Sequence, residues 1–419
     1  MNQVLDRYRS VAGDEAVREL EQLGRHLAGA RVIHVNSTRQ GGGVAEILDW
    51  MIPLMCDLGI AADWQVVSGD GDFFAVTKAM HNGLQGQNVE MDSPRIRTYM
   101  DTNRQEAERL RPILADADFV FIHDPQPAAL LTILGAGHAH WIWRCHIDIS
   151  APQRRVWRVL RPLVEKFEAS IYSLPRYALP LPHPQFVIAP SIDPLSEKNR
   201  DLTDAEMLEL LAPYGLDPGR PLLVQISRFD AFKDPIGVIQ AYRMVKKHIP
   251  VQLVLAGGGA ADDPEGDRVL NAVRTEAATD PDIHVLALAP DSHRTINALQ
   301  RAADIVIQKS VREGFGLTVT EGLWKGKPVI GGNAGGIRLQ VFDHHTGFLV
   351  NTPEGAAQKA LFLLTHRDEM TAIGQRGHRF VRENFLLTRQ LREYLILMAG
   401  LRLGFSDRLE LDGAAEASA

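Results

Sequence analysis

Short runs of valine, isoleucine and other apolar residues alternate along the chain with longer stretches in which apolar positions recur every three or four residues. The short runs have the length and β-branched content of strands, and the longer stretches have the period of helices. In the first half the predicted strands are RVIHVNS (31–37), ADWQVVS (62–68), DFVFIHD (118–124), HWIWRCHID (140–148) and FVIAPS (186–191). After Gly43, residues Val44, Ile47, Leu48, Met51, Met55 and Leu58 mark one helical face, which Pro53 is expected to kink. A polar segment, IDPLSEKNRDLTD (192–204), reads as a linker running into a capped helix. A second series follows it: PLLVQIS (221–227), VQLVLAG (251–257), IHVLAL (283–288), ADIVIQKS (303–310) and KPVIGG (327–332), each with a helical stretch after it. Strands alternating with helices predict an α/β chain of two doubly wound, Rossmann-like domains with parallel sheets covered on both faces. The expected divisions are 1–195, 196–375, helices at 376–407 that pack back on the first domain, and a flexible tail at 408–419.

Composition narrows what such a chain does. At 419 residues and 45% hydrophobic content it can bury two sizeable cores. With 45 basic against 52 acidic residues the net charge is −7, so nothing favours a nucleic-acid backbone or an anionic membrane surface. The densest basic cluster, RRVWR (154–158), reads as a solvated helix face. The first 25 residues carry charge and no apolar leader core, and no run approaches the roughly 18 apolar residues of a membrane span, so a cytoplasmic location is expected. Cys56 and Cys145 have no metal-ligand spacing and are expected to be small buried thiols rather than a disulfide or zinc site.

In open α/β sheets ligands bind beyond the carboxyl ends of the strands, so the chemistry is sought in strand-exit loops. EGFGLTVTE (313–321) leaves the strand at 303–310 and enters a helix near Leu317. Gly314 and Gly316 permit close backbone approach, and the amides of a first helical turn favour a phosphate. Glu321, one turn into the helix, can accept two hydrogen bonds from a ribose diol, and Glu313 can reach sugar hydroxyls; both also read as acids that merely favour the helix dipole. SRFDAFKD (227–234) leaves the strand at 221–227, and its Arg228 and Lys233 either neutralise a diphosphate or pair with Asp230 and Asp234 as surface charge.

The first half offers QGGGVAE (40–46), a glycine turn without the G-x-G-x-x-G spacing or a P-loop lysine. HDPQP (123–127) and RCHID (144–148) place His123, Asp124, Gln126, His146 and Asp148 at strand ends, where they can bind a polyol; His146 reads equally as a core histidine. No pair has the spacing of a helical metal site, and no serine elbow or Cys–His arrangement occurs. DDPEGD (262–267) is read as a solvated helix start and GGNAGGI (331–337) as a loop able to admit a sugar.

Together, E-x7-E from Glu313 to Glu321, the Arg228 and Lys233 pair, the glycine loop at 41–43 and the histidine of RCHID resemble the retaining family-four glycosyltransferases of the GT-B architecture, whose two domains face each other across a cleft. HVNSTRQGGGVAEIL, HDPQP, RCHIDIS and VREGFGLTVTEGLWKGKPVIGG resemble the trehalose synthases of that group, which join a nucleotide-activated glucose to free glucose. The resemblance implies that Arg228 and Lys233 grip the diphosphate, while Gly42, Gly43 and the segment Gly314, Phe315, Gly316, Leu317 and Thr318 line the donor. Glu321 would hold the ribose, Glu313 the donor sugar, and His146 would sit beside the anomeric carbon. Glu46, Asp124, Gln126 and Asp148 would meet the acceptor. The group's frequent G-G-x-P-E is replaced here by AGGIRLQ (334–340).

The implied partners are a nucleoside diphosphate glucose, glucose and trehalose, with no nucleic acid or membrane; a homodimer is left open. No cofactor is required, Mg2+ being at most stimulatory. Domain closure is expected to turn on the 192–204 linker and the helices after 375. A trehalose phosphorylase, a transferase to fructose or a glucan, and a non-catalytic sugar-nucleotide sensor are the alternatives. The sequence does not choose among uridine, adenosine and guanosine donors.

Overall fold

The computed structural model describes residues 3–39, 43–258 and 264–404. Its first sheet comprises β1 (Arg31–Asn36), β2 (Ala61–Val66), β3 (Phe119–His123), β4 (His140–Cys145), β5 (Ala169–Tyr172) and β6 (Gln185–Val187). The second comprises β7 (Leu222–Ile226), β8 (Gln252–Gly257), β9 (Ile283–Ala287), β10 (Ile305–Gln308), β11 (Val329–Gly332) and β12 (Gly347–Val350). Every neighbouring pair runs parallel, in the orders β2-β1-β3-β4-β5-β6 and β12-β11-β10-β7-β8-β9. All ten predicted strands are present. β5 and β12 are additional: ASIY and GFLV are four-residue apolar runs, too short for periodicity to separate from a buried helical turn.

The strand order fixes where each sheet opens. In the first, β1 leads outward to β2 on one side while β3 lies on the other; in the second, β7 stands in the same relation to β8 and β10. The loops leaving the two middle strands diverge at such a reversal and expose a crevice at the carboxyl edge. The loops after β7 and β10 are SRFDAFKD and EGFG, and those after β1 and β3 are the glycine turn and HDPQP.

The chain forms two compact units, residues 1–190 with 387–419, and residues 191–386. The expected division at 375/376 falls inside one continuous helix, Arg367–Asn384, which stays with the second unit. Close packing explains why: a Cβ on Gly374 would lie 2.0 Å from the Gly326 carbonyl oxygen, so this helix rests directly on the turn before β11. The next helix, Leu387–Leu403, belongs to the first unit and packs on helix Asp14–His26, with Arg392 3.3 Å from Glu19. The helix at Gly43–Asp57 buries Ile47, Leu48, Met51 and Met55 as its pattern implies, with Pro53 inside it. Cys145 is buried, but Cys56 is exposed, its thiol donating to the Ala62 carbonyl. Of the acidic run 262–267, residues 262 and 263 lie outside the described residues, and helix Pro264–Ala277 begins immediately after them.

The segment 192–204 is not a free linker. Its end caps helix Asp204–Leu211 through a reciprocal capping box between Thr203 and Glu206. Its middle is tied to the second unit: Asn297 and Arg301 donate to the carbonyls of Arg200 and of Glu197 or Asn199, and the Trp324 indole donates to Asn199. Asn199 is buried, and its Oδ1 accepts from the Lys325 ammonium at 2.9 Å. Polar composition suggested solvent, whereas these polar groups serve to satisfy buried partners. Asn199→Leu should therefore destabilise the second unit by about 2 kcal/mol, the range for losing a hydrogen bond to a buried charged group, read from urea unfolding of the full chain.

Candidate active site

At the crevice of the second sheet the loops after β7 and β10 are joined by charge. Lys233 Nζ lies 2.6 Å from Glu313 Oε2, both side chains largely shielded, and Ser310 donates to the same oxygen at 3.1 Å. Lys309, almost wholly buried, pairs with Asp234, and the Val311 amide donates to the Phe232 carbonyl. Two cations expected to stand near one another thus have different fates. Lys233 is held by Glu313, while the Arg228 side chain is 68% exposed and faces Asp230 at 3.7 Å. A guanidinium so placed is free to reorganise around an incoming anion.

EGFG turns as its glycines require. Gly316 has φ 88° and caps helix Leu317–Trp324, whose first-turn amides face the loop end. The Phe315 ring is buried edge-on against Phe385, which leaves its backbone, the part given a role in the sequence reading, to the loop. Gly336 explains part of the AGGIRLQ stretch, since a Cβ there would lie 2.6 Å from Phe315 Cα. Gln340 explains the rest. Its Nε2 donates to the carbonyls of Phe315 at 2.9 Å and Gly336 at 3.2 Å, while its Oε1 accepts from Thr320 at 2.6 Å. Glu321 is 2% exposed; one oxygen accepts from Gln300 at 3.1 Å and the other lies 3.8 Å from Lys198.

In the first unit Gly42 lies outside the described residues, Gly43 begins helix Gly43–Asp57, and Glu46 stands half-buried in its first turn. Asp124 adopts φ 63°, and its carboxylate accepts from the His146 amide at 2.7 Å. Burial pushes that carboxyl up to about 7, against the pull of this hydrogen bond and of Arg144. Gln126 is half-buried, its carbonyl accepting from Asn103. Asp148 Oδ1 accepts from Ser150 twice, at 3.0 and 2.6 Å, and its Oδ2 lies 3.5 Å from Arg176. His146 bonds His123, which bonds His34, each contact 3.0 Å long.

Residues 34–179 match the family model for the N-terminal domain of trehalose synthase, and residues 208–380 match glycosyl transferases group 1. A trehalose synthase from Pyrococcus horikoshii is 44% identical over 402 residues, covering 95% of this chain and 96% of that protein. The chain belongs to the trehalose synthase family. It is a glycosyltransferase, and its fold is GT-B, as the likeness to the sucrose-phosphate synthase of Thermosynechococcus elongatus shows, with TM-score 0.70 and 16% identity over 89% of this chain and 99% of that one. A trehalose phosphorylase from Grifola frondosa is more distant, 29% identical over 87% of this chain and 56% of its own length.

For a trehalose synthase family member, the sequence reading missed His34, Lys198, Gln300, Lys309 and Gln340. Lys309 and Ser310 were counted as strand residues, but β10 ends at Gln308 and releases both into the loop. Gln340 carries no motif, because its value lies in three contacts to residues 20–25 positions away.

Two outcomes are expected. Gln340→Leu should lower stability by about 2 kcal/mol, since it strands the Phe315 and Gly336 carbonyls and the Thr320 hydroxyl, and should speed amide exchange within 314–317. For Asp124 the folded value lies above the ordinary one near 3.8, so its protonated form stabilises the fold and that contribution is lost as pH rises toward 7. Asp124→Asn keeps an oxygen for the His146 amide and tolerates the positive φ. Relative to the parent, its unfolding free energy should therefore improve steadily between pH 4 and pH 7, measured by urea midpoints at each pH.

Proposed function

We propose that the protein transfers glucose from a nucleoside diphosphate glucose to the anomeric hydroxyl of glucose, giving α,α-trehalose with retention at the donor carbon. The observation that carries this reading is the Lys233–Glu313 pair at the crevice of the second sheet, flanked by an exposed Arg228 and by the amide end of helix Leu317–Trp324. Such a cluster suits a diphosphate: an ammonium has three protons, so Lys233 can keep Glu313 and still donate to phosphate. Arg228 supplies the planar fork that closes on the other oxygens. The helix amides add donors that need no reorganisation.

Glu313 then has two tasks, to hold Lys233 charged and aimed, and to meet the donor sugar's hydroxyls. The ribose is assigned to the Glu321 oxygen that Lys198 faces, since the other already accepts from Gln300. In the second unit the backbone from Gly314 to Thr318 is assigned to the donor; in the first, Gly43 and His146 are assigned to bound sugar. Acceptor recognition is assigned to Glu46, Asp124, Gln126 and Asp148, of which Asp124 also accepts from the His146 amide and Asp148 from Ser150.

A retaining hydrolase would use a carboxylate nucleophile. Here Glu313, the acid that joins the two exit loops, is occupied by a lysine and a serine, while Asp230 and Asp234 face Arg228 and Lys309. A front-face substitution fits this arrangement better: the C1–O bond to the diphosphate breaks, the acceptor oxygen bonds C1 from the same side, and its proton passes to the departing phosphate oxygen. Arg228, Lys233 and the amides stabilise the charge that accumulates on that leaving group. The step calls on no metal.

The test is to incubate the protein with uridine, adenosine and guanosine diphosphate glucose plus glucose, and to follow trehalose and free nucleotide together. Trehalose and nucleotide should appear in equal amounts, with the anomeric configuration of the donor kept. Turnover of trehalose with inorganic phosphate and no nucleotide would instead establish the phosphorylase reading that the Grifola relative suggests. Arg228→Ala should lower kcat/KM on the order of 100-fold, the effect of removing one preorganised donor to a charged leaving group, and near-parental turnover would remove Arg228 from the mechanism.

A further inference from the structure

Three histidines climb the carboxyl edge of the first sheet as a staircase. His34 on β1 pairs in register with Phe121 on β3, and His123 on β3 pairs with Arg144 on β4. Each step to the next strand therefore advances two residues, from His34 to His123 to His146, and the two-residue period of a strand keeps the three rings on one face. His34 Nδ1 lies 3.0 Å from His123 Nε2, and His123 Nδ1 lies 3.0 Å from His146 Nε2. His34 and His123 are 0% and 1% exposed, while His146 keeps part of its surface in solvent. His34 is further clamped by stacking on Phe121 at 4.6 Å.

Burial holds the imidazoles neutral: His34 is lowered to about 3, and His123 and His146 lie well below the ordinary value, the latter two also beside the buried Arg144 guanidinium. A neutral His123 has one N–H, so it donates in one of its two ring contacts and accepts in the other. The chain is consequently directional, and the tautomer at one end dictates the tautomer at the other. The blind end selects the direction. His34 Nε2 is buried with no partner among the described residues. Running the chain from His146 inward would bury an N–H there without an acceptor, whereas running it outward leaves only a lone pair; orphaned buried N–H groups are the rarer case.

We infer that His34 and His123 are positioning residues that act in sequence to hold His146 as its Nδ1-protonated tautomer, with Nε2 accepting from His123 and the Nδ1–H presented to a bound sugar. This rests on the proposed assignment of His146 to a bound sugar. The fixed proton makes His146 a hydrogen-bond donor to an oxygen of the substrate and excludes it as a general base at that nitrogen.

Nitrogen-15 NMR of the full chain labelled at histidine tests the inference without reference to activity. His146 should show a proton-bearing Nδ1 and a bare Nε2 across neutral pH. A proton on Nε2 would overturn the inference. His34→Phe preserves the stack on Phe121 but removes the first donor, and should leave His146 a mixture of tautomers. It should lower kcat about tenfold with KM little changed, the lower end of what orienting partners contribute. His34→Asn, whose amide nitrogen can stand where Nδ1 stood, should restore both the single tautomer and turnover. A His146 tautomer unchanged in a folded His34→Phe would also overturn the inference. His146→Ala with parental turnover would overturn the catalytic placement of His146 alone, because the nitrogen shifts decide the chain independently.

Discussion

The second unit is organised around an ion pair that bridges a topological reversal. β7 and β10 are neighbours in the sheet but far apart in sequence, and their exit loops diverge by construction. Lys233 and Glu313 join those loops across 80 residues, and Lys309 with Asp234 joins them again. Shielded from water, each pair resists separation, because either partner left alone would be a buried charge without a counterion. The backbone hydrogen bond from Val311 to Phe232 adds a third tie. A rigid frame of alternating charge results, from which the Arg228 side chain reaches far into solvent.

Around this frame, neutral groups do the fine positioning. Gln340 holds the EGFG carbonyls and Thr320 together, and Gly336 lets the loop approach where any side chain would collide with Phe315. Glycine at 316 supplies the positive φ that turns the loop into the helix. The amide end of Leu317–Trp324 is thereby presented at a fixed place, which is what preorganised stabilisation of a developing charge needs.

The first unit solves a different problem, that of keeping polar groups inside a sheet edge without ionising them. Asp124 is raised toward neutrality, three histidines are held neutral, and Arg144 is wholly buried with Ser173 as a hydrogen-bond partner at 3.4 Å. Low dielectric makes each of these arrangements sensitive to its neighbours. Replacing one member is therefore expected to be felt at the others, which is the basis for reading His34 and His146 as coupled.

The amino-acid sequence by itself determined the two parallel α/β units, ten of the twelve strands among the described residues, the exit loops in which Arg228, Lys233, Glu313 and His146 stand, and the helix that carries Glu321. Those features follow from local periodicity and from glycine and charge at loop positions, which a linear pattern carries. It left unseen the strands Ala169–Tyr172 and Gly347–Val350, whose four residues are too few for a period, and it took 192–204 for a linker because polarity was read as solvent exposure. Only the tertiary structure decided that Lys233 is held by Glu313 while Arg228 is not, that Phe315 faces inward, that Gln340 braces the loop, and that His34, His123 and His146 form one chain. Each of those outcomes depends on strand order and register, which bring together residues 20 to 112 positions apart, and no local pattern encodes which strand will lie beside which.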